Sequence, residues 1–432
     1  MYHYRRMTLP ALAVLALLNA GCSDDDDDNN SPTPENGDSQ PFSMRILHIN
    51  DHHSHLESES ATLTLAGADT DVEMGGFPRV TAKMRELEAA VDNLLKLHAG
   101  DAITGTLYYT LFEGQADAEL MNDVCFDAFV VGNHEFDGGD AGLKTFLDFL
   151  NSGSCGTVTL GANVVPQVGT PLAPNSETDY IKPYMVKDLD GEKVGIIGID
   201  IAAKTQNSSS PLETTQFLDE TQTSQQYIDE LKEQGINKIV LLTHNQYGRD
   251  IAMSGQLTDV DVIIDGDSHT LLGNTFADLG LSPEGPYPTL TTDKNGNTVC
   301  IAQAWQYANI VGELAIEFDP DGVISSCTGT PHLLLGDTFE RDDAEGNSAV
   351  LAGEDQQAVL DDIASLDEVS VVTPDASAAA ILARYADQVD TLQQEVIGTA
   401  PADLCFERIP GQGRSEIAGC TALTNAQGSD IS

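Results

Sequence analysis

The sequence predicts an α/β fold whose functional site lies at the ends of its strands. From about Ser43 onward, short apolar runs alternate with stretches of helical periodicity, a pattern typical of α/β proteins. Five of those runs are followed closely by Asp, Asn or His. Hydrophobic residues make up 41% of the 432 residues, which is enough to bury a large core. Because open α/β sheets bind ligands outside the carboxyl ends of their strands, we expect these segments to converge on one site.

The strands are predicted from short apolar runs that end on polar residues, at 44–49, 94–97, 128–131, 239–242 and 262–264. A helix is predicted over 80–91, because its apolar residues recur on one helical face. Further along, 299–305 and 310–318 are predicted to be hairpin strands, and Pro320-Asp321-Gly322 is predicted to be a turn. Residues 376–396 predict one long helix.

The N-terminus carries an export signal. Residues 1–21 predict a lipoprotein-type signal peptide, with a basic start and an apolar run too short to span a bilayer. The segment Asn19-Ala20-Gly21-Cys22 resembles a bacterial lipoprotein cleavage site with Cys22 as the acylated residue, although Asn19 stands where Leu is usual. Simple secretion is the alternative. Residues 22–42 predict an acidic flexible tether. The export signal predicts a location in the periplasm or cell envelope, with the protein anchored to a membrane if Cys22 is acylated.

The charge balance argues against a nucleic-acid duplex as a partner. The chain has 20 Lys and Arg against 69 Asp and Glu, a formal net charge of −49. Such a surface repels the phosphate backbone of DNA or RNA. A small phosphate ester is still allowed, because bound cations can reverse the field locally.

Cysteine usage agrees with export to an oxidising compartment. Six cysteines remain besides Cys22, and neighbours in sequence suggest the pairs 125–155, 300–327 and 405–420, with other pairings open. No CxxC pair is present, which argues against a thiolate metal site.

The polar residues that follow the strands are suited to holding metal ions. In extended backbone, Asp51 and His53 would point the same way and could share one ion. Asp101, between Gly100 and Gly105, offers a carboxylate that can bridge two cations. The remaining ligand candidates are an amide oxygen and imidazole nitrogens, on Asn133, His244 and His269. Mixed oxygen and nitrogen ligands suit zinc, manganese or iron, and two such ions about 3.5–4 Å apart can clamp a phosphate ester and activate water.

Taken together, these motifs resemble the calcineurin-like metallophosphoesterases in their 5′-nucleotidase and UDP-sugar hydrolase form. The motifs are Asp51-His52-His53, Gly100-Asp101, Gly132-Asn133-His134-Glu135-Phe136-Asp137, Thr243-His244 and Gly266-Asp267-Ser268-His269. The resemblance implies a four-layer αββα sandwich over 43–335. It also implies a linker with a long helix at 336–396 and a truncated start of a C-terminal domain at 397–432.

The resemblance also implies a role for each matching residue. Asp51, His53 and His269 would hold one divalent ion and Asn133, His244 and Asp267 a second, with Asp101 as the bridge. Asn133 and His134 would contact the substrate. His134 would be the catalytic residue, and Asp137 would orient it. A helix N-cap before Gly138 is the alternative for Asp137.

One position departs from the family pattern. Asp267 stands where the family usually has His, and its added negative charge predicts a harder ion at the second position, Mn²⁺, Mg²⁺ or Ca²⁺ rather than Zn²⁺. A weakly held second ion is the alternative.

The function implied by the resemblance is hydrolysis of nucleoside 5′-monophosphates by metal-activated water. Alternatives are a 2′,3′-cyclic nucleotide phosphodiesterase with 3′-nucleotidase activity, a UDP-sugar hydrolase, or a non-catalytic surface lipoprotein on the same fold. The family's C-terminal domain grips the nucleoside, and only its opening is expected here. Arg408 and Arg414 lie in that segment without an assigned role.

Overall fold

Two β-sheets stacked face to face, with helices on their outer surfaces, form the fold in a computed structural model that describes residues 41–343 and 346–393. In chain order the strands are β1 (Phe42–Ile49), β2 (Glu59–Leu65), β3 (Ala68–Met74), β4 (Leu94–His98), β5 (Ala128–Val130), β6 (Val158–Leu160), β7 (Val164–Val165), β8 (Tyr184–Leu189), β9 (Glu192–Asp200), β10 (Gln216–Phe217), β11 (Ile239–His244), β12 (Val262–Ile264), β13 (Thr289–Thr292), β14 (Thr298–Ala302), β15 (Ile310–Phe318), β16 (Ile324–Asp342), β17 (Ser348–Val350) and β18 (Val369–Val371). The α-helices are α1 (Phe77–Glu88), α2 (Leu107–Phe112), α3 (Gln115–Val124), α4 (Gly139–Asn151), α5 (Ala202–Ser208), α6 (Glu220–Glu233), α7 (Tyr247–Ser254), α8 (Glu354–Ile363) and α9 (Ala376–Gln393).

The larger sheet has the strand order β2-β3-β16-β15-β1-β4-β5-β6, with β17 and β18 also paired to β16. The smaller sheet has the order β13-β14-β12-β11-β9-β8. In the larger sheet β1, β4 and β5 run parallel, and in the smaller one β9, β11, β12 and β14 do. The parallel strands of each sheet therefore end along one edge.

Alternation along the strands explains the layers. On β1, Met44 and Ile46 pack into the core between the sheets, whereas Leu47 and Ile49 pack against the helices that cover the larger sheet. On β11, Val240 and Leu242 face the same central core, and Leu241 faces the cluster that includes residues of α6 and α7. The order helices, sheet, sheet, helices confirms the predicted four-layer αββα sandwich.

The predicted strands are found close to their expected bounds, but the predicted hairpin is wrong. The runs 299–305 and 310–318 became β14 and β15, which lie in different sheets. β14 pairs with β12 and β13, and β15 pairs with β1 and β16. Two adjacent apolar runs indicate two strands, but their periodicity does not identify their partners. The predicted turn at Pro320-Asp321-Gly322 does join two paired strands, β15 and β16.

The helix predicted over 80–91 is α1, which begins at Phe77 with Pro78 in its first turn. This is the place where proline is tolerated, because its missing N–H has no helical partner there. The long helix predicted over 376–396 is α9, described as far as Gln393, and it packs against α1, α2 and α3. β16 runs through the predicted boundary at residue 335, and the domain limits stay a prediction.

Two of the suggested disulfides are present, Cys125–Cys155 and Cys300–Cys327. The second joins β14 to β16 and so links the two sheets. The pair 405–420, Cys22 and the segments 1–40 and 397–432 lie outside the described residues. Within the described ranges, no helix has the length and hydropathy needed to cross a bilayer.

Candidate metal centre

The polar residues after five strands meet in one cluster. Asp51 follows β1, Asp101 follows β4, Asn133 follows β5, His244 ends β11 and Asp267 follows β12. All five are buried in the described structure. The convergence of strand ends from both sheets is what the sequence predicts.

The backbone is left-handed at five of the candidate ligands. The φ angles are 48° at Asp51, 46° at His53, 51° at Asp101, 73° at Asp267 and 50° at His269. Each such residue costs about 1–2 kcal/mol in an L-amino acid, so the surrounding structure must impose the conformation. The expectation of extended backbone at Asp51 and His53 was therefore wrong. A turn, and not strand alternation, brings the two side chains together.

One group of ligand atoms comes from Asp51, His53 and His269. Asp51 Oδ1 lies 3.7 Å from His53 Nε2 and 3.4 Å from His269 Nε2. The two Nε2 atoms are 3.1 Å apart. Burial lowers the pKa of His53 to about 4, against the charges of Asp101 and Asp51. Its ring is therefore neutral at pH 7 and presents a lone pair suitable for a cation.

The second group comes from Asp101, Asn133, His244 and Asp267. The three buried atoms Asn133 Oδ1, His244 Nε2 and Asp267 Oδ2 make no hydrogen bond. Buried polar atoms are normally satisfied, and three unsatisfied ones at these strand ends need an explanation. They are the atoms that the sequence prediction assigns to the second ion. The residues therefore fit a bound metal.

The tautomer of His244 also fits a bound metal ion. Its Nδ1 lies 2.7 Å from the carbonyl oxygen of Ala99 and must donate a proton there, which fixes Nε2 as the free nitrogen of the neutral ring. Nε2 lies 3.0 Å from Asp101 Oδ2. Burial lowers the pKa of His244, but the carboxylates of Asp101 and Asp51 outweigh it and raise that pKa well above its ordinary value. Between two electron-rich atoms at this distance, either a proton or a metal ion is required.

Asp101 lies between the two groups. Its Oδ2 is 3.6 Å from His53 Nε2 and 3.0 Å from His244 Nε2, so a single oxygen faces both. Its Oδ1 accepts the backbone N–H of His134 at 2.9 Å. A Cβ at Gly132 would lie only 2.4 Å from that Oδ1, which explains why glycine occupies this position.

His134 lies at the edge of the cluster with its partner Asp137. His134 Nδ1 and Asp137 Oδ2 are 2.6 Å apart, and the His134 side chain is 38% exposed. Burial lowers the pKa of His134, but the hydrogen bond to Asp137 and the charge of Asp101 raise it above its ordinary value overall. Gly138 is the N-cap of α4, without a side-chain cap, so Asp137 is not the helix cap considered as the alternative.

These side chains open onto a cleft of about 460 Å³. Its walls include His53, His134, Lys204, Asp267, His269 and Tyr307. Of the neighbouring histidines, His55 stacks on Tyr307 at 4.0 Å and lines the cleft as well. His52 turns into the core, where it contacts His98 and Asp117, and does not reach the cluster.

Three supporting residues were missed by the sequence prediction. Glu135 is fully buried and accepts four backbone N–H groups, from Asp101, Ala102, Ile103 and Gly132, at 2.9, 2.8, 3.3 and 2.6 Å. Gln306 holds His269 Nδ1 at 2.5 Å, and Lys204 bonds Asp267. The position of Glu135 within its motif was a signal for its role. Lys204 and Gln306 lie in no motif, and nothing in the sequence indicated them.

Glu135 joins the loop of Asp101 to the loop of Asn133. Each of its two oxygens accepts two N–H groups, so both must be acceptors. Burial and the Asp101 carboxylate raise the pKa of Glu135 to about 7, against the four N–H donors, which favour the ionised form.

The Glu135→Gln substitution should therefore be strongly disruptive. Whichever way the amide turns, its NH₂ faces two N–H donors. We expect the free energy of unfolding to fall by about 1–3 kcal/mol. We also expect the affinity for Mn²⁺ to fall by about 10–100-fold. Urea unfolding and Mn²⁺ titration measure the two effects, with the exposed Glu230→Gln as control. Equal stability and equal Mn²⁺ affinity in the two variants would contradict this role.

Comparison with known proteins agrees with this geometry. The model of the calcineurin-like phosphoesterase family matches residues 44–271. The chain is 40% identical over 385 residues to the NAD 5′-nucleotidase of Haemophilus influenzae, covering 88% of this chain and 62% of that protein. The solved NAD nucleotidase of Haemophilus influenzae has a TM-score of 0.78 and 41% identity, over 83% of this chain and 70% of that one.

The solved 5′-nucleotidase precursor from Thermus thermophilus has a TM-score of 0.67 and 33% identity, over 84% of this chain and 62% of that one. The chain spans less than two thirds of the length of the curated Haemophilus relative, 62%. The family model nevertheless spans more than half of the sequence. The chain therefore belongs to the calcineurin-like phosphoesterase family, in which its similar relatives carry the name 5′-nucleotidase.

Proposed function

We propose that this chain is a two-metal phosphoesterase that hydrolyses nucleoside 5′-monophosphates to the nucleoside and phosphate. The observation that carries the proposal is the set of unsatisfied buried atoms on Asn133, His244 and Asp267. His244 lies beside the buried carboxylates of Asp51 and Asp101, and Asp101 and Asp267 line the cleft. Relatives named 5′-nucleotidase support the choice of nucleotides as substrates.

Distances between ligand atoms and the family resemblance together support an assignment of the ligand sets. Asp51, His53 and His269 form one set of atoms within 4.8 Å of one another, and Asp51, Asp101 and His244 form another. We assign the first ion to Asp51, His53 and His269, and the second to Asn133, His244 and Asp267, with Asp101 shared. Divalent ions held there, of which Mn²⁺, Zn²⁺, Mg²⁺ and Ca²⁺ are candidates, would polarise the phosphate and provide a nucleophile at neutral pH.

His134 has the position and the partner of a general acid. Its Nδ1 is fixed by Asp137, so Nε2 is the nitrogen available to the substrate. The raised pKa of His134 favours the protonated form of the ring, which can stabilise charge on the phosphate and deliver a proton to the leaving oxygen. Asn133, next to it, contributes its amide to ion and phosphate positioning.

A dinucleotide pyrophosphate is the second candidate substrate. It is favoured by the relative named NAD 5′-nucleotidase, which is 40% identical to this chain. No observation on the described residues favours the cyclic nucleotide or UDP-sugar alternatives, which stay predictions from the resemblance.

The assay compares AMP, NAD and a chromogenic phosphate monoester, with Mn²⁺ added to the full chain. We expect hydrolysis of AMP, a loss of about 10²–10⁴-fold in kcat for His134→Ala, and a smaller loss for Asp137→Asn. The Asp137 variant also tests orientation, because it should shift the alkaline limb of the pH profile downward as the His134 pKa falls. The Lys144→Ala substitution on the surface of α4 is the control for folding and purity.

Two results would overturn the proposal. If wild-type protein with any of the four ions hydrolyses none of the substrates, the chain is a binding protein on an inherited fold. If His134→Ala retains wild-type kcat, the chemistry belongs to other residues. Hydrolysis of NAD but not AMP would move the substrate to the pyrophosphate class.

We also propose that the protein is exported and held on a membrane through an acylated Cys22. The support is the sequence of residues 1–22, together with a solved relative described as a precursor. Wild-type protein expressed in a bacterial host should fractionate with membranes and partition into detergent. Cys22→Ser should remain uncleaved by the lipoprotein route and lose the lipid modification seen by mass spectrometry. An unmodified Cys22 in wild-type protein would contradict the anchor.

A further inference from the structure

Lys204 and Asp267 form a charge pair inside the cleft. The Lys204 ammonium bonds Asp267 Oδ1, while Asp267 Oδ2 is buried and makes no hydrogen bond. The Asp267 side chain has no exposed surface, whereas the Lys204 side chain is 35% exposed to the cleft. One carboxylate therefore has one oxygen bound to a cation of the protein and the other buried without a hydrogen-bond partner.

We propose that Lys204 is a positioning residue whose positive charge offsets the negative charge of Asp267. The residues around the second ion position then carry the same net charge as they would with a neutral ligand at position 267. The inference deepens the proposed function and rests on it, because it concerns the affinity and selectivity of the same metal site. It assigns to Lys204 a role that no motif indicates.

Hydrogen bonds hold in place the helix that carries Lys204. Lys204 lies on α5, directly after β9. Thr205 Oγ1 donates to the buried Asp200 carboxylate, with its two oxygens at 2.9 and 2.7 Å, and Ala202 N–H donates to Glu220 at 3.1 Å. The helix is therefore anchored on both sides of Lys204, and its side chain has a short, defined path to Asp267.

The position of Asp267 is fixed independently by its backbone. Its N–H lies 3.0 and 3.2 Å from the two carboxylate oxygens of Asp51. Its Oδ1 is 3.6 Å from His244 Nε2. Asp267 thus sits where it affects both ion positions, and an unpaired third carboxylate here would be costly to bury.

The pair changes the expectation for the metal. On sequence alone, Asp267 adds a negative charge beside Asp51 and Asp101, which predicts a harder ion. Lys204 cancels most of that charge, because opposite charges in direct contact leave only a small field at the ion position. We therefore expect the second position to accept Zn²⁺ and Mn²⁺ with less discrimination than Asp267 alone would impose.

A double-mutant cycle on metal binding tests the pair. Asp267→His leaves the Lys204 ammonium uncompensated beside the ion, so the affinity for the more weakly bound Mn²⁺ should fall tenfold or more. Lys204→Met should raise that affinity several-fold. The double variant Asp267→His with Lys204→Met should return to within about threefold of wild type, because both charges are gone. Titration of Mn²⁺ followed by electron paramagnetic resonance measures each value without reference to activity.

Controls separate this inference from folding effects and from the proposed function. Lys204→Arg keeps the charge and should bind Mn²⁺ like wild type. The surface pair Lys144–Asp148 on α4, changed in the same way, should leave Mn²⁺ binding unchanged. Thermal unfolding verifies that each variant is folded. If Asp267→His does not fold, Asp267→Asn replaces it in the cycle.

The inference is overturned if Asp267→His weakens Mn²⁺ binding by the same factor in the wild-type background and in the Lys204→Met background, since the two residues would then act independently. Additive effects in a protein that still hydrolyses AMP would reject the pair and leave the proposed function standing. Wild-type protein that binds no Mn²⁺ would reject both.

Discussion

The structure depends on holding buried carboxylates close together. Ligand atoms of Asp51, Asp101 and His244 lie within 4.8 Å of one another, and both carboxylates are buried. Two like charges at about 4 Å repel by roughly 4 kcal/mol at an effective dielectric constant near 20. A fold that keeps them there needs cations to offset the repulsion. The histidines supply only part of the positive charge that is needed, because burial keeps His53 neutral.

Strands of both sheets hold these carboxylates and the other candidate ligands in place. Parallel strands end along one edge, and the first residues after them turn into left-handed backbone that aims Asp51, His53 and Asp101 at a common centre. Glu135 ties two of these turns together through four backbone N–H groups. The loops that carry Asp101 and Asn133 are thus held by backbone hydrogen bonds to Glu135, a residue that is not itself a candidate ligand. Such rigid support is what an ion site needs, because poorly supported ligands bind weakly.

Much of this site could be predicted from the sequence because its signals are local. An apolar run followed by Asp, Asn or His indicates both the strand and the edge where the residue will lie. Asp51, Asp101, Asn133 and His244 are predicted in this way. The structure brings the ligand atoms of Asp51, Asp101 and His244 together and leaves the amide oxygen of Asn133 buried without a hydrogen bond. The four-layer sandwich followed from the same motifs through a family resemblance.

The remaining features depend on contacts that the sequence does not encode locally. β14 and β15 are neighbours in sequence but lie in different sheets. β15 pairs with β1, which is more than a hundred residues away along the chain. The local sequence pattern does not identify such a partner, and it therefore suggests one hairpin. His52 looks like its neighbours in sequence, yet a one-residue step turns it into the core toward Asp117. Lys204 lies on a short helix far from any motif, and only the tertiary structure places its charge on Asp267.

We propose that two divalent ions share this cluster, with Asp101 between them. Anomalous X-ray scattering from crystals of the full chain grown with Mn²⁺ tests it most directly. We expect two anomalous peaks about 3.5–4 Å apart, one contacting Asp51, His53 and His269 and the other Asn133, His244 and Asp267. A single peak, or peaks only outside this cluster, would contradict it.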